Sequence, residues 1–195
     1  FSPDGKRIAF SASTSESRDA DIFVSGLDGS GMRNLTNNAG IDTSPTWSPT
    51  GTQIAFISDR SGGPQLWVMD ADGSNLRRLV EEGGHCDSPA WSPNGRFILY
   101  SWQAPRQSKH DVYLAEVATG KLYQLTRDFG EGENPHWSPD GRHITFQGTR
   151  SGSKQIFIMN ADGKNLKQIT AYGINESPSW NNYSVNTNYC INFRS

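Results

Sequence analysis

One phrase recurs through this 195-residue chain and limits what it can fold into. It reads Ser88-Pro89-Ala90-Trp91-Ser92-Pro93-Asn94-Gly95 at mid-chain. It is matched before by Ser44-Pro45-Thr46-Trp47-Ser48-Pro49-Thr50-Gly51 and after by Asn134-Pro135-His136-Trp137-Ser138-Pro139-Asp140-Gly141. Phe1-Ser2-Pro3-Asp4-Gly5 is a clipped first copy with Phe1 at the tryptophan position, and Ser177-Pro178-Ser179-Trp180 is the front half of a last one. The tryptophans 47, 91, 137 and 180 stand 44, 46 and 43 residues apart. A fixed period of that length is the mark of a repeat architecture.

Each period carries four short β-signals, A to D. In the second period they are 44–48, 53–58, 65–69 and 76–80, each rich in β-branched, aromatic or aliphatic residues and each ended by turn chemistry. Ser138-Pro139-Asp140-Gly141 fixes φ at the proline and frees it at the glycine, which closes an A–B hairpin. Asp70-Ala71-Asp72-Gly73 and Asn160-Ala161-Asp162-Gly163 do the same between C and D. No useful length of 3.6-residue apolar period is present, which excludes helical solenoids. Four strands per period without helices define the blades of an all-β propeller. Strand A is expected at 44–48, 88–92, 134–138 and 177–180, and B at 6–11, 53–58, 96–101 and 143–148. Strand C is expected at 21–25, 65–69, 111–115 and 155–159, and D at 32–36, 76–80, 121–126 and 166–170. The first blade lacks a leading A strand. Either 177–180 straps the ring shut as a four-bladed propeller, or the chain forms an arc of a larger ring whose unpaired edges invite self-association. The propeller is expected over 1–180, with 181–195 as a non-repeat tail.

Composition removes several function classes. A net charge of −2 gives no electrostatic footprint for nucleic acid. No apolar run is long enough for a membrane-spanning helix, and residues 1–20 show no signal-peptide pattern. Cys86 and Cys190 have no metal-ligand spacing and are read as unpaired thiols, a disulfide between them being the alternative in an oxidising compartment. His85, His110, His136 and His143 likewise share no ligand spacing. No Gly-x-Ser-x-Gly element is present to carry a nucleophile, so no catalytic residue is assigned.

Propeller topology puts the tight A–B and C–D turns on one face and the variable B–C and D–A loops on the other, where binding is expected. The tryptophans Trp47, Trp91, Trp137 and Trp180 are read as structural wedges between blades, each N–H seeking a carbonyl. Trp102, outside the repeat position, is either a loop anchor or a ligand contact, and Arg106 lies in the same long loop, 102–110. The connection 13–20 in the first blade is the other long one. An acid precedes each A strand: Asp42, Asp87, Glu133 and Glu176, the last three four residues before their tryptophan and Asp42 five before. Innermost strands converge on the channel, so these acids are expected to ring its mouth, as solvated turn caps or as a site for a basic segment or an ion. Asp87, Glu133 and Glu176 are the candidate metal ligands. Oxygen donors alone favour a hard ion such as Ca²⁺. Arg60 and Arg150 occupy equivalent B–C loops and are expected to pair with acids of a neighbouring blade.

The pattern Pro-x-Trp-Ser-Pro-Asp-Gly-(Lys/Arg)-x-Ile-x-Phe, then Ile-(Phe/Trp)-Val-Met-(Asn/Asp)-Ala-Asp-Gly, then Leu-x-x-(Leu/Ile)-Thr resembles the repeat of TolB-type β-propellers. Residues 138–170 match it almost throughout, and so do 47–79 with Thr50 in place of Asp. The resemblance implies a non-enzymatic periplasmic scaffold that binds protein segments such as the lipoprotein Pal, with Ca²⁺ in the channel. Its six-bladed ring and N-terminal α/β domain are not seen in this chain. Similar repeats also occur in prolyl-oligopeptidase and tricorn-like serine peptidases, where the propeller is non-catalytic; that is the alternative role.

Overall fold

The structure is a computed structural model that describes residues 1–13, 19–127 and 129–180. Fifteen strands build four antiparallel sheets, and no helix occurs among the described residues. Blade I contains β1 (Arg7–Ser13), β2 (Ala20–Gly26) and β3 (Arg33–Asn34). Blade II contains β4 (Asp42–Trp47), β5 (Gln53–Ser58), β6 (Gln65–Asp70) and β7 (Arg77–Arg78). Blade III contains β8 (His85–Trp91), β9 (Phe97–Gln103), β10 (Asp111–Glu116) and β11 (Leu122–Gln124). Blade IV contains β12 (Glu133–Trp137), β13 (His143–Gly148), β14 (Gln155–Asn160) and β15 (Lys167–Gln168). In every sheet the strands neighbour one another in chain order. The expected B and C strands and the first three A strands lie where the repeat puts them, while the D strands shrink to two or three residues and 177–180, expected as a fourth A strand, forms no strand.

The recurring phrase builds the same turn four times. The Ser Oγ accepts the N–H of the residue five on, at 2.9–3.0 Å, in Ser2, Ser48, Ser92 and Ser138. The same hydroxyl reaches the side chain two residues ahead: Asp4, Thr50, Asn94 or Asp140. Gly5, Gly51, Gly95 and Gly141 take φ of +66°, +71°, +71° and +68°, a region glycine enters without steric cost.

A second device sits at the start of strand A. Ser44, Ser88 and Asn134, each followed by proline, hold φ of 54°, 52° and 48°, and the pairing register slips across each of them. These are β-bulges, where a proline without an N–H is tolerated. Ser177 shares the positive φ, 54°, but lies outside any strand, so no bulge forms there among the described residues.

The strap arrangement is not formed. Strand β1 pairs with β2 alone, and no contact between blade I and blade IV strands is found among the described residues. Blades I to IV form an open arc. Its three interfaces each bury one apolar cluster, from Ile22 and Val24 against Ile54, Phe56 and Met69 at the first to Leu99 and Leu114 against Ile144 and Phe146 at the last. The tail 181–195 and Cys190 lie outside the described residues. Cys86 is fully buried, and burial pushes its thiol pKa up to about 12.

Candidate functional site

Trp47, Trp91 and Trp137 pack at the three boundaries between blades, whereas Trp180, expected to be a fourth wedge, belongs to no buried cluster among the described residues. Trp91 packs between blades II and III and donates from Nε1 to the Thr46 carbonyl at 3.1 Å. The expectation that each indole finds a carbonyl holds there and not at Trp47, Trp137 or Trp180, whose Nε1 atoms have no partner among the described residues. Trp47 instead lies under the Arg7 guanidinium at 4.6 Å, and Trp180 stacks with His143. Trp102 lies within β9 and not in the loop expected over 102–110: it is buried, meets Tyr113 edge-on at 4.9 Å and donates to the Gly83 carbonyl at 3.2 Å.

The four acids divide into two kinds, and strand alternation is the reason. Asp87 pairs with Ser101 and Glu133 with Gln147, each immediately before its bulge. Asp42 lies one residue earlier relative to its bulge, paired with Ser58, so Thr43 occupies the position of Asp87 and Glu133. One residue of offset in a strand sends a side chain to the opposite face. Asp42 is therefore not at the mouth. Its side chain is 0% exposed and accepts from Arg60 Nη2 at 2.8 Å and Asn38 Nδ2 at 2.7 Å. Its position matches that of Cys86, also fully buried, in blade III.

The other three acids stay accessible to solvent. Asp87 is exposed, with one oxygen on the Ser88 N–H at 2.6 Å. Glu133 accepts from Gln147 Nε2 at 2.7 Å, and Glu176 from Lys154 Nζ at 3.1 Å. Lys154 also lies 3.8 Å from Glu133, so one ammonium bridges the two carboxylates. Its pKa is raised, first by the hydrogen bond to Glu176 and then by the charge of Glu133. A polar belt ties the neighbouring inner strands: Ser88 Oγ donates to Asn134 at 2.8 Å, and Gln147 Oε1 accepts from Asn134 and from the Ser177 N–H.

The sequence places Arg60 and Arg150 alike, and the structure separates them. Arg60 pairs with the acid of its own blade, not a neighbour's, and its guanidinium also lies 5.1 Å from the Trp67 ring. Arg150 stacks 5.1 Å from Phe129. Arg106, at φ 71°, lines a cleft of about 420 Å³ with Lys109 and Gly130. A second cleft of about 690 Å³ on this face is bounded by Asn38, Asp59, Arg60 and Pro64.

Two features escape the sequence reading. Asp21, Gln65, Asp111 and Gln155, at or next to the start of each strand C, are buried and hold the outer chain: Gln65 and Gln155 donate to the Gly84 and Gly173 carbonyls, and Asp21 and Asp111 accept from Thr36 and Thr126. The threonine ending each Leu-x-x-(Leu/Ile)-Thr was the available signal. The other is a donor group, His110, Glu131 and Glu133, whose ligand atoms lie within 4.8 Å of one another, with His110 Nδ1 at 3.2 Å from Glu131. It unites residues from a B–C loop, a D–A loop and strand β12, which no linear spacing reveals. Among the described residues this is the one such group, and it is not the set Asp87, Glu133 and Glu176. Oxygen donors suit Ca²⁺, but Lys154 already supplies the positive charge between Glu133 and Glu176, so the acids as arranged do not fit that ion.

Fold and loop face together define a β-propeller scaffold of the non-helical, four-strand-per-blade kind. The model of the TolB beta propeller domain matches residues 1–107 and 78–189, and the chain belongs to that family. Over 45 residues, 23% of this chain and 10% of the relative, it is 53% identical to the Tol-Pal system protein TolB of Bordetella pertussis. It is similar to the crystal structure of TolB from Acinetobacter baumannii, with 28% identity and a TM-score of 0.78 over 91% of this chain and 44% of that one. A putative TolB from Agrobacterium tumefaciens is 25% identical with a TM-score of 0.74, over 88% of this chain and 60% of that one. The chain thus spans about half the length of these two solved structures, and its match covers a tenth of the Bordetella pertussis relative.

Proposed function

We propose that the chain is a non-enzymatic scaffold that takes a basic or extended protein segment on its loop face, at the mouth lined by Asp87, Glu133 and Glu176. One observation carries this reading. Two of the three carboxylates occupy one register position on the first strands of successive blades, and the third directly precedes Ser177, which shares the positive φ of Ser88 and Asn134. Like charges held side by side attract a positively charged segment and steer its approach. Lys154 marks how such a cation would be received, since it already bridges two of the acids. The relatives named Tol-Pal system proteins suggest an envelope partner, a Pal-like lipoprotein segment met in the periplasm.

The test is fluorescence anisotropy with a lysine-rich labelled peptide, followed by titration with purified Pal. Binding is expected to weaken with salt and to fall several-fold in Asp87→Asn/Glu133→Gln, the folded state being checked by circular dichroism. Binding that is unchanged in the double variant, or absent in the parent protein at low salt, refutes the reading.

A further inference from the structure

The strand registers let the three boundaries between blades be compared residue by residue. Strand B opens opposite the last residue of strand C with Arg7 in blade I, Gln53 in blade II and Phe97 in blade III. Strand D sets Arg33 opposite Val24, Arg77 opposite Val68 and Tyr123 opposite Leu114. The following blade answers with its tryptophan, Trp47, Trp91 or Trp137. At the first boundary the Arg7 guanidinium lies 4.6 Å from the Trp47 ring, and the Arg33 charge acts on Asp72 of the next blade. At the second, Arg77 reaches across to the Val117 carbonyl at 2.8 Å. At the third, both positions are aromatic, and among the described residues no cation lies over Trp137. Blade IV also adds a carboxylate, since Asp140 stands where blade II has Thr50.

The third boundary is open where the bases would lie. A cleft of about 780 Å³ runs between blades III and IV on the side of the A–B and C–D turns. Phe97, Tyr123, Leu125 and Trp137 form its apolar walls, and among the described residues Asp140 and Asp162 are the charged groups that line it. Phe97 and Tyr123 meet edge-on at 6.1 Å, and neither ring pairs with Trp137. Both carboxylates are held ionised: the Ser138 hydroxyl lowers the Asp140 pKa, and the Lys164 N–H lowers that of Asp162. Arg142 and Lys164 stand 3.9 and 3.2 Å from them in exposed pairs that water screens. Arg96 and Lys121 lie 5.0 Å from the Phe97 and Tyr123 rings, but neither lines the cleft.

We propose that this cleft binds a small organic cation, an alkylated ammonium, over the Trp137 ring in the place that Arg7 takes over Trp47. An aromatic face attracts a cation through its quadrupole, and more strongly once the cation is desolvated. Alkyl groups suit the apolar walls, where a bare ammonium would shed water that few acceptors replace. The two carboxylates supply the opposite charge at close range. The volume falls in the range of small-molecule sites, roughly 300–1,000 Å³. The occupant is therefore a free molecule, and the site is separate from the acidic mouth on the other face.

The test is a titration of the whole chain with choline chloride at constant ionic strength, read by NMR at the Trp137 indole N–H, which Trp137→Phe assigns. A saturable shift is expected. The neutral isostere 3,3-dimethylbutan-1-ol is expected to bind about tenfold more weakly, the worth of the cation's contact with the rings. Phe97→Arg restores the guanidinium that blade I carries and is expected to abolish choline binding while keeping the native circular dichroism spectrum. Asp140→Asn/Asp162→Asn is expected to weaken choline binding several-fold and to leave the isostere unchanged. That variant spares the packing, since Asn94 already makes the same turn in blade III. No saturable shift in the parent protein, equal binding of the isostere, or undiminished choline binding in either folded variant overturns the proposal.

Discussion

Blades II and IV each set a carboxylate beside a basic side chain at the loop face, and the two pairs differ in kind. In blade II the Asp42 side chain is 0% exposed and Arg60 15%, and the guanidinium is fixed by Ser58 Oγ at 2.7 Å and by the Phe56 and Trp67 rings. In blade IV, Lys154 is 37% exposed, with Glu133 at 31% and Glu176 at 53%. The first pair has lost its water and belongs to the packing. The second keeps its water and remains exchangeable. One residue of strand offset produces the difference, because it turns Asp42 inward where Glu133 looks out.

The comparison breaks most visibly at Arg60. Arg60→Ala leaves the Asp42 carboxylate buried with Asn38 as its remaining side-chain partner, and losing one member of a buried pair costs about 3–5 kcal/mol. Urea unfolding is expected to show a loss of that order. Arg60→Lys is expected to lose less, since an ammonium keeps the charge but not the planar fork that reaches Ser58 and Asp42 together. The double variant Asp42→Leu/Arg60→Met is expected to recover most of the stability, because apolar groups of similar volume replace a buried pair at little net cost. A double variant as unstable as Arg60→Ala would place the damage in lost ring packing rather than in the stranded charge.

The contrast also explains how far the sequence could be read. Blade number, strand order and the wedging tryptophans were legible because the repeat writes them four times in local chemistry: Pro and Gly at the turns, β-branched residues in the strands, Trp at the end of A. The outward acids were legible as residues that precede a motif. That Asp42 departs from them was visible only as a count of five rather than four, and its meaning depends on a bulge at Ser44, which no propensity specifies. Arg60 and Arg150 share a motif yet differ in partner, because blade II offers Asp42 where blade IV offers the Phe129 ring. The His110, Glu131 and Glu133 group depends on which loops neighbour each other across a blade boundary, a property of the assembled arc.

A smaller effect sharpens the comparison from blade IV. Lys154→Ala is expected to cost under about 1 kcal/mol at neutral pH, since solvated pairs gain little in water. The pH dependence identifies the source. The Lys154 pKa is raised by Glu176 and Glu133, so its contribution is present below the ordinary lysine value of about 10.4 and is lost as pH rises through the raised one. The difference in melting temperature between parent and variant is therefore expected to stay constant from neutral pH until that alkaline window, then to shrink. Salt is expected to shrink it at any pH. Removing the ammonium also leaves Glu133 and Glu176 with uncompensated charge, which a hard divalent ion can meet through oxygen donors. Millimolar CaCl₂ is then expected to raise the melting temperature of Lys154→Ala and to leave the parent protein where it was. An equal rise in both would mean that the ion binds elsewhere than between these two acids. The lysine would then serve the local packing of blade IV rather than hold a place that a cationic partner can take.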